Sequence, residues 1–142
     1  LRAREYDLVV SNPPYVPLRA GVVNPGTERA VARHEVSCTP AGLAQAARHL
    51  LKDGGALKVI FPASRLIELT AALDAAGVHG RRIRLVHPVP GRPAKMVLVE
   101  ALRNRPGALE VLPPLYLFAE GGGPTAEARE IIGDSAGSSA AD

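Results

Sequence analysis

The fold is decided by residues 6–15, which read Tyr6-Asp7-Leu8-Val9-Val10-Ser11-Asn12-Pro13-Pro14-Tyr15. The apolar run at residues 8–10 is typical of a strand buried on both faces of a parallel sheet. The two prolines end that strand, because proline donates no hydrogen bond to a sheet and keeps the residue before it extended. Asn12 is therefore predicted in a rigid bend at the carboxyl end of the strand, the edge at which open α/β sheets bind ligands.

This bend suits a planar amino group as its ligand. The Asn12 side-chain oxygen and the Pro13 carbonyl are two acceptors that can converge on one NH2 group. Acceptors on both N–H bonds of an adenine or carboxamide amine hold it in place and favour a geometry that frees the nitrogen lone pair. Tyr15 adds a flat ring on which a base or an amide plane can stack. The alternative is structural, a proline turn that closes a buried strand, and the four-residue motif directly after a hydrophobic strand favours the functional interpretation.

Composition bounds the class of protein. With 142 residues and 46% hydrophobic content, the chain is long and apolar enough for a globular domain with a core. No apolar run approaches the roughly 20 residues that span a bilayer, so we predict a cytoplasmic protein with no membrane partner. Cys38 is the single cysteine, which excludes an internal disulfide and a cysteine-rich metal site. His79 and His87 have no partner at metal-ligand spacing, and we predict no metal.

A long connection follows the motif. Residues 16–39 show no sustained periodicity, and a connection of this length is predicted to lie over the site that it directly follows. It carries Arg33 and His34, which are candidates for contacts to the substrate. The alternative for these two residues is a solvated turn with a local ion pair to Glu35.

The first helix has clear start and stop signals. Thr39 and Pro40 predict its beginning, with a hydroxyl cap and a proline at the first helical position. Gly54-Gly55 is predicted to end it. The apolar residues at helical spacing are Leu43, Ala46, Ala47, Leu50 and Leu51.

A second strand and a second helix come next. Residues 56–61 are predicted to form another buried strand, and Ser64 is predicted to cap a helix that ends at Gly77. The residues predicted to face the sheet are Leu66, Ile67, Leu69, Leu73 and Ala76. This alternation indicates a parallel α/β sheet with right-handed crossovers.

The pattern then changes to a hairpin. Residues 83–86 and 96–101 are two strands, and the connection between them is too short for a crossover helix, so they form an antiparallel pair. Residues 81–95 carry five basic and no acidic side chains, and the whole chain has a net charge of +3. We interpret this segment as a phosphate-contacting surface in which Arg92 and Lys95 are candidates. The alternative is a solvated sheet edge, where cations discourage edge-to-edge pairing.

The end of the chain contains short elements. Residues 109–112 and 115–118 are predicted to be extended, and Thr125 is predicted to cap a short helix that runs to about Ile132. Residues 133–142 are rich in glycine, serine and alanine and are predicted to form a disordered tail. The predicted domain is therefore residues 1–132.

A nucleotide-type cofactor needs features that are missing from this sequence. Such a site uses a glycine-rich turn between a strand and a helix and an acidic residue after the next strand. Gly54-Gly55 follows a helix, and the glycines at 121–123 follow an aromatic segment near the end. We therefore expect the chain to be the carboxyl-terminal part of a larger enzyme.

Further short segments accompany the motif. They are Ser11-Asn12-Pro13-Pro14-Tyr15, Ala32-Arg33-His34-Glu35, Leu85-Val86-His87-Pro88, Met96-Val97-Leu98-Val99-Glu100-Ala101, and Leu112-Pro113-Pro114-Leu115 with Tyr116 and Thr125-Ala126-Glu127. Together they resemble the bacterial tRNA adenine-N6 methyltransferase family, which methylates an adenine next to the anticodon of a valine tRNA. The Asn-Pro-Pro-Tyr motif is shared by many amino methyltransferases, so the other segments carry the likeness to this family.

The resemblance implies a fold and a reaction. The implied fold is α/β, the carboxyl-terminal half of a Rossmann-like class I methyltransferase, with parallel strands and a terminal antiparallel hairpin. The implied cofactor is S-adenosylmethionine and the implied substrate is tRNA. The methyl group passes in line from a sulfonium to adenine N6, without a covalent intermediate. The adenine is flipped from the anticodon loop and stacked on Tyr15.

The resemblance also implies roles for individual residues. The implied catalytic set is Asn12, Pro13, Pro14 and Tyr15. Asn12 is the implied contact to the cofactor as well. The candidates for RNA contacts are Arg33, His34, Arg92 and Lys95.

Two other functions stay open from the sequence. A glutamine methyltransferase acting on release factors shares the motif, because a carboxamide NH2 poses the same problem as an adenine amine. The chain is alternatively a non-catalytic piece that binds RNA. Because the glycine-rich half is missing, the isolated chain is expected to be inactive.

Overall fold

The structure is a computed structural model that describes residues 3–13 and 39–133. The described part alternates strands and helices before it ends in short elements. In chain order the elements are β1 (Tyr6–Ser11), α1 (Pro40–Leu50), β2 (Leu51–Pro62), a 3-10 turn (Ala63–Arg65), α2 (Leu66–Ala75), β3 (Val78–His87), β4 (Met96–Arg103), β5 (Glu110–Val111), β6 (Leu115–Tyr116) and α3 (Ala126–Ile132).

The strands form one mixed sheet in the order β1-β2-β4-β3-β5, with β6 also paired to β3. β1 and β2 run parallel, whereas β4 is antiparallel to both β2 and β3. β5 and β6 run parallel to β3. The predicted antiparallel pair is therefore confirmed, and its second strand is inserted between two strands that share the opposite direction.

Helices α1 and α2 cover one face of this sheet. Strand residues that share this face alternate with residues of the other face, as the pleat of a strand requires. The core is made of α1 residues, α2 residues and these strand residues, chiefly Leu43, Ala44, Ala47, Leu69, Leu73, Leu57, Val59, Phe61, Val97, Val99 and Ala101. At about 25 cal/mol per Å² of buried apolar surface, this layer is the main source of stability.

The start of α1 agrees with the sequence, and its end does not. The Thr39 hydroxyl accepts a hydrogen bond from the Gly42 N–H at 3.0 Å, and Pro40 occupies the first turn. The helix ends at Leu50 and β2 begins at once, so the prediction that Gly54-Gly55 ends the helix is wrong. The fully buried Leu51 side chain and the β1 pairing draw these residues into the sheet. Gly54, with φ of +78°, lies where the β1–β2 register shifts.

The start of α2 also differs from the prediction. Ser64 lies in the 3-10 turn, and no side chain caps the helix that follows. Leu69, Leu73 and Ala76 are buried as predicted, but Ile67 is 84% exposed. With 3.6 residues per turn, Ile67 lies on the opposite side of α2 from Leu69 and Leu73, so the helix directs it to solvent while they face the sheet.

Strand β1 is not buried on both faces as predicted. Leu8 is 50% and Val10 is 70% exposed, while Val9 between them packs against the core. The reason is that α1 and α2 both lie on the Val9 face. Within the described residues, no helix is long and apolar enough to cross a membrane.

Candidate functional site

Asn12 lies immediately after β1, at the carboxyl end of the strand as predicted. Ser11, the last residue of β1, pairs with Val59 of β2. The Asn12 side chain is exposed and Pro13 is buried. Among residues 3–13 and 39–133, nothing forms a hydrogen bond with the Asn12 amide. With respect to the described residues, the amide is therefore free to bind a ligand at this edge.

The amide borders a concavity of about 490 Å³ on the sheet face opposite α1 and α2. The floor of the concavity is largely apolar, and charged residues run across it. Its apolar residues include Val10, Ile60, Leu98 and Leu112, and its charged residues are Lys58, Arg82, Arg84 and Glu100.

The charged residues of this face compensate one another. Lys58 Nζ lies 3.4 Å from Glu100 Oε2, and Arg82 Nε lies 3.8 Å from Glu110 Oε1. Because Glu100 and Arg82 are also neighbours in the sheet register, positive and negative side chains alternate across the strands. Such a ladder is nearly neutral in sum, so it does not attract a phosphate strongly.

The positive charge of the segment at residues 81–95 is partly neutralised in the structure by acidic side chains from outside the segment. Arg84 donates from Nε to the Pro113 carbonyl at 2.9 Å and pairs with the Glu127 carboxylate of α3. Arg82 pairs with Glu110. These acids come from later in the chain, which is why the sequence of the segment alone does not reveal the compensation.

Arg92 and Lys95 are the exposed cations of this segment that form no ion pair with a described residue; Arg81 forms none either, but it is half-buried and its Nε is buried. The backbone of the loop is fixed, since Lys95 N–H donates to the Val86 carbonyl at 2.9 Å and the Ala63 N–H donates to the Lys95 carbonyl at 3.0 Å.

Asn12 and Lys95 lie at the same edge of the sheet without touching. Lys95 precedes Met96 of β4, which is level with Pro62 of β2, and β4 lies two strands from β1. Strand spacings put the two residues about 10 Å apart across the sheet and about 10 Å apart along it. A single extended ligand spans this separation, whereas a small molecule does not.

The remaining predicted site residues lie outside the described residues. They are Pro14, Tyr15, Arg33 and His34. Their roles stay predictions.

Sequence reasoning missed several side chains at the same edge. Arg65 lies 5.5 Å from the centroid of the Phe61 ring and donates two hydrogen bonds to the Glu68 carboxylate. These bonds lower the pKa of Glu68 and raise that of Arg65. His87 and Tyr116 form a ring pair with centroids 5.3 Å apart. The two residues lie far apart in the sequence, so no local pattern predicts that their rings are in contact. The only indication was that both residues belong to segments that resemble the methyltransferase family.

The described residues contain neither a metal-ligand group nor a glycine turn of the kind that binds a nucleotide cofactor. No group of three or more potential metal-ligating side chains is present among them. Gly54 and Gly55 lie near the amino end of β2, the opposite edge of the sheet from Asn12. The glycines at 121–123 lie in an exposed turn. Within the described ranges, therefore, no glycine turn joins a strand end to a helix in the way that holds a nucleotide cofactor.

Comparison with known proteins agrees with this geometry. No protein-family model matches the chain. The chain is 35% identical over 102 residues to a tRNA1(Val) (adenine(37)-N6)-methyltransferase of Trichodesmium erythraeum, a match that covers 72% of the chain and 42% of the relative. It is 34% identical over 94 residues to the protein of the same name from Phocaeicola vulgatus, covering 66% of the chain and 39% of that relative.

A solved structure shows the same fold. The crystal structure of an Agrobacterium tumefaciens protein described as a predicted O-methyltransferase superposes with a TM-score of 0.69 at 23% identity, over 92% of this chain and 52% of the other. The chain thus spans less than half the length of the curated relatives that it matches and about half of this structure. Over the part of their length that it matches, the chain is similar to these bacterial proteins named tRNA1(Val) (adenine(37)-N6)-methyltransferases.

Proposed function

We propose that the chain supplies the substrate side of an S-adenosylmethionine-dependent enzyme that methylates N6 of an adenine in the anticodon loop of tRNA. The observation that carries the proposal is the Asn12 amide. It is exposed at the carboxyl end of β1, and no described residue forms a hydrogen bond with it. The similarity to proteins named as tRNA adenine-N6 methyltransferases supports the adenine amine as its ligand.

The role of Asn12 is to position the amine. The adenine N6 amine donates one hydrogen bond to the Asn12 side-chain oxygen and the other to the Pro13 carbonyl, so the nitrogen lone pair points away from both acceptors. Neither group is a base at neutral pH, so their contribution is orientation, and the N6 proton that is lost as the N–CH3 bond forms and the S–CH3 bond breaks passes to solvent. Pro14 is proposed to stiffen the bend, and Tyr15 to stack on the flipped base.

The methyl donor is proposed to bind mainly outside the described residues. S-adenosylmethionine supplies a methyl group on a positively charged sulfonium, and its nucleoside needs the glycine turn that the described ranges do not contain. Asn12, at the open strand end, is the one residue proposed to reach toward the cofactor. The isolated chain is accordingly proposed to be inactive, as the carboxyl-terminal part of a longer enzyme with its domain at residues 1–132.

The RNA contacts are proposed to come from both sides of this edge. Arg33 and His34 belong to the connection that follows the motif, and Arg92 and Lys95 belong to the hairpin. A tRNA substrate also implies a cytoplasmic location.

The test is methyl transfer by the complete protein and its Asn12→Ala variant under single-turnover conditions. We expect the methylation rate to fall about a hundredfold, because misplacing a reacting group by about 1 Å has an effect of this size. The affinity for tRNA is expected to stay unchanged. A matched control is Gln45→Ala, which removes an exposed amide from α1. A rate for Asn12→Ala close to wild type would show that the amide does not position the amine.

The substrate is decided by the same assay. Wild-type protein is offered unmodified tRNA and, separately, a release factor. Methylation of a release-factor glutamine and not of tRNA would replace the proposed function with the carboxamide one. Calorimetry with S-adenosylhomocysteine tests the division of the enzyme: we expect binding by the complete protein and none by the 142-residue chain.

A further inference from the structure

An aromatic cluster lies where β3 and β6 end. His87 and Tyr116 are neighbours in the sheet register, and their ring planes are inclined at 47°. Phe118 follows two residues after Tyr116, and its N–H donates to the Pro88 carbonyl at 2.9 Å. The chain has five phenylalanine and tyrosine residues and no tryptophan, and two of the five, Tyr116 and Phe118, lie two positions apart in this short segment.

Phe118 is held by its backbone while its ring stays open to solvent. The neighbouring Leu117 N–H donates to the His87 carbonyl at 3.0 Å, and Phe118 forms a bridge with Pro124 across a short turn. The residue is nevertheless 45% exposed. A large ring on a fixed backbone presents a flat surface with little conformational entropy left to lose when a ligand stacks on it.

The same backbone contacts join Phe118 to the segment that carries Arg92 and Lys95. His87 Nδ1–H donates to the Arg92 carbonyl at 2.7 Å, which ties the hairpin loop to the end of β3. Pro88, whose carbonyl holds Phe118, opens that loop. Arg92 and Lys95 are exposed and form no ion pair with the described residues, in contrast to Arg82 and Arg84 on the sheet face. The Phe118 ring and the exposed Arg92 and Lys95 side chains therefore belong to segments that hydrogen bonds hold together.

We propose that Phe118 is a stacking platform for a nucleotide that flanks the target adenine, with Arg92 and Lys95 holding the adjacent phosphates. Aromatic rings beside cations are the combination with which proteins bind single-stranded nucleic acid. The ligand must be single-stranded, because a base has to leave its own stack to lie on the ring.

The distance explains why a flanking nucleotide and not the target is bound. β6 lies four strands from β1 when the sheet is followed through β2, β4 and β3. Four strand spacings amount to about 19 Å, so a base held at Asn12 does not reach Phe118. The inference rests on the proposed function and assigns to it a second, specificity-determining contact.

The experiment measures RNA binding by the complete protein with an anticodon stem-loop of valine tRNA as the probe. One loop position at a time carries a fluorescent purine whose emission is quenched by stacking. We expect quenching at one position that flanks the target, and its loss in Phe118→Ala and Phe118→Leu. The affinity is expected to fall about five- to tenfold in Phe118→Ala, the lower part of the range for one base stacked on an aromatic ring.

Leu109→Ala is the matched control, since Leu109 is 47% exposed and precedes β5 near the opposite end of the sheet. Far-ultraviolet circular dichroism verifies that each variant folds, and Phe118→Leu keeps an apolar side chain in case alanine disturbs the turn. Equal affinity and equal quenching in wild type and both Phe118 variants would overturn the inference while methylation by wild type still supported the proposed function. A wild-type protein that neither binds nor methylates tRNA would instead refute the proposed function itself.

Discussion

Gly55→Ala tests the junction that places the Asn12 strand. A Cβ atom at Gly55 would lie 2.9 Å from the Lys52 carbonyl oxygen and 3.0 Å from the Tyr6 carbonyl oxygen. Both are backbone atoms, so neither can turn aside as the end of a flexible side chain would. Tyr6 begins β1, and the strand that is displaced by the new methyl group is the one that ends at Asn12.

The magnitude follows from two opposing effects. Forcing an extra methyl group into a packed site costs about 1–3 kcal/mol. Alanine also restricts the unfolded chain relative to glycine, which returns about 0.4–1 kcal/mol where the backbone conformation suits alanine. We therefore expect Gly55→Ala to lower the free energy of unfolding by about 1–2 kcal/mol.

Urea unfolding of the complete protein measures this change. With a denaturant slope of roughly 1–3 kcal/mol/M, the expected loss lowers the unfolding midpoint by roughly 0.3–2 M urea. Hydrogen exchange should accelerate in the β1 amides before the amides of β4. Gly121→Ala is the matched control, because nothing lies within 4 Å of a Cβ atom at that position. Equal midpoints for the two variants would refute the reasoning that β1 packs closely on Gly55.

Two further predictions concern the hairpin and the last helix. Arg92→Ala and Lys95→Ala should each weaken tRNA binding and reduce the slope of log affinity against log salt by about one. The control is Arg82→Ala, which removes a paired cation. An unchanged slope in the first two variants would favour the alternative that Arg92 and Lys95 belong to a solvated sheet edge. Thr125→Ala should lower the free energy of unfolding by about 1 kcal/mol, because the Thr125 hydroxyl accepts from the Ala128 N–H at 3.1 Å and donates to the Tyr116 carbonyl at 2.6 Å. Thermal unfolding measures the second effect, and a melting temperature equal to that of wild type would contradict it.

Local sequence was sufficient for several elements of the fold. Thr39 and Thr125 cap the helices that they were predicted to cap, because a cap depends on residues three positions apart. The antiparallel pairing of β3 and β4 also followed from the short connection between them. The place of Asn12 at a strand end followed from the prolines after it.

Other features depended on which face of the sheet the helices cover. Leu8 and Val10 were predicted to be buried, yet they lie on the face of the sheet that α1 and α2 do not cover. Ile67 was predicted to belong to the inward face of α2, yet it lies on the opposite side of the helix from Leu69 and Leu73 and is exposed. The spacing of apolar residues indicates that an element has an apolar face. Which residues of that element are buried depends on the distant elements that pack against it.

The local sequence predicts an amide acceptor at the end of β1, whereas the balance of charge around it depends on the tertiary fold. An amide before two prolines is a local arrangement, because proline restricts the backbone of its immediate neighbour. The charge at the site is not local, since Glu110 and Glu127 pair with Arg82 and Arg84 of β3, whereas the exposed Arg92 and Lys95 form no ion pair with a described residue. Phe118 joins those cations through hydrogen bonds between segments some 30 residues apart. Such pairings become visible only when folding brings distant segments into contact.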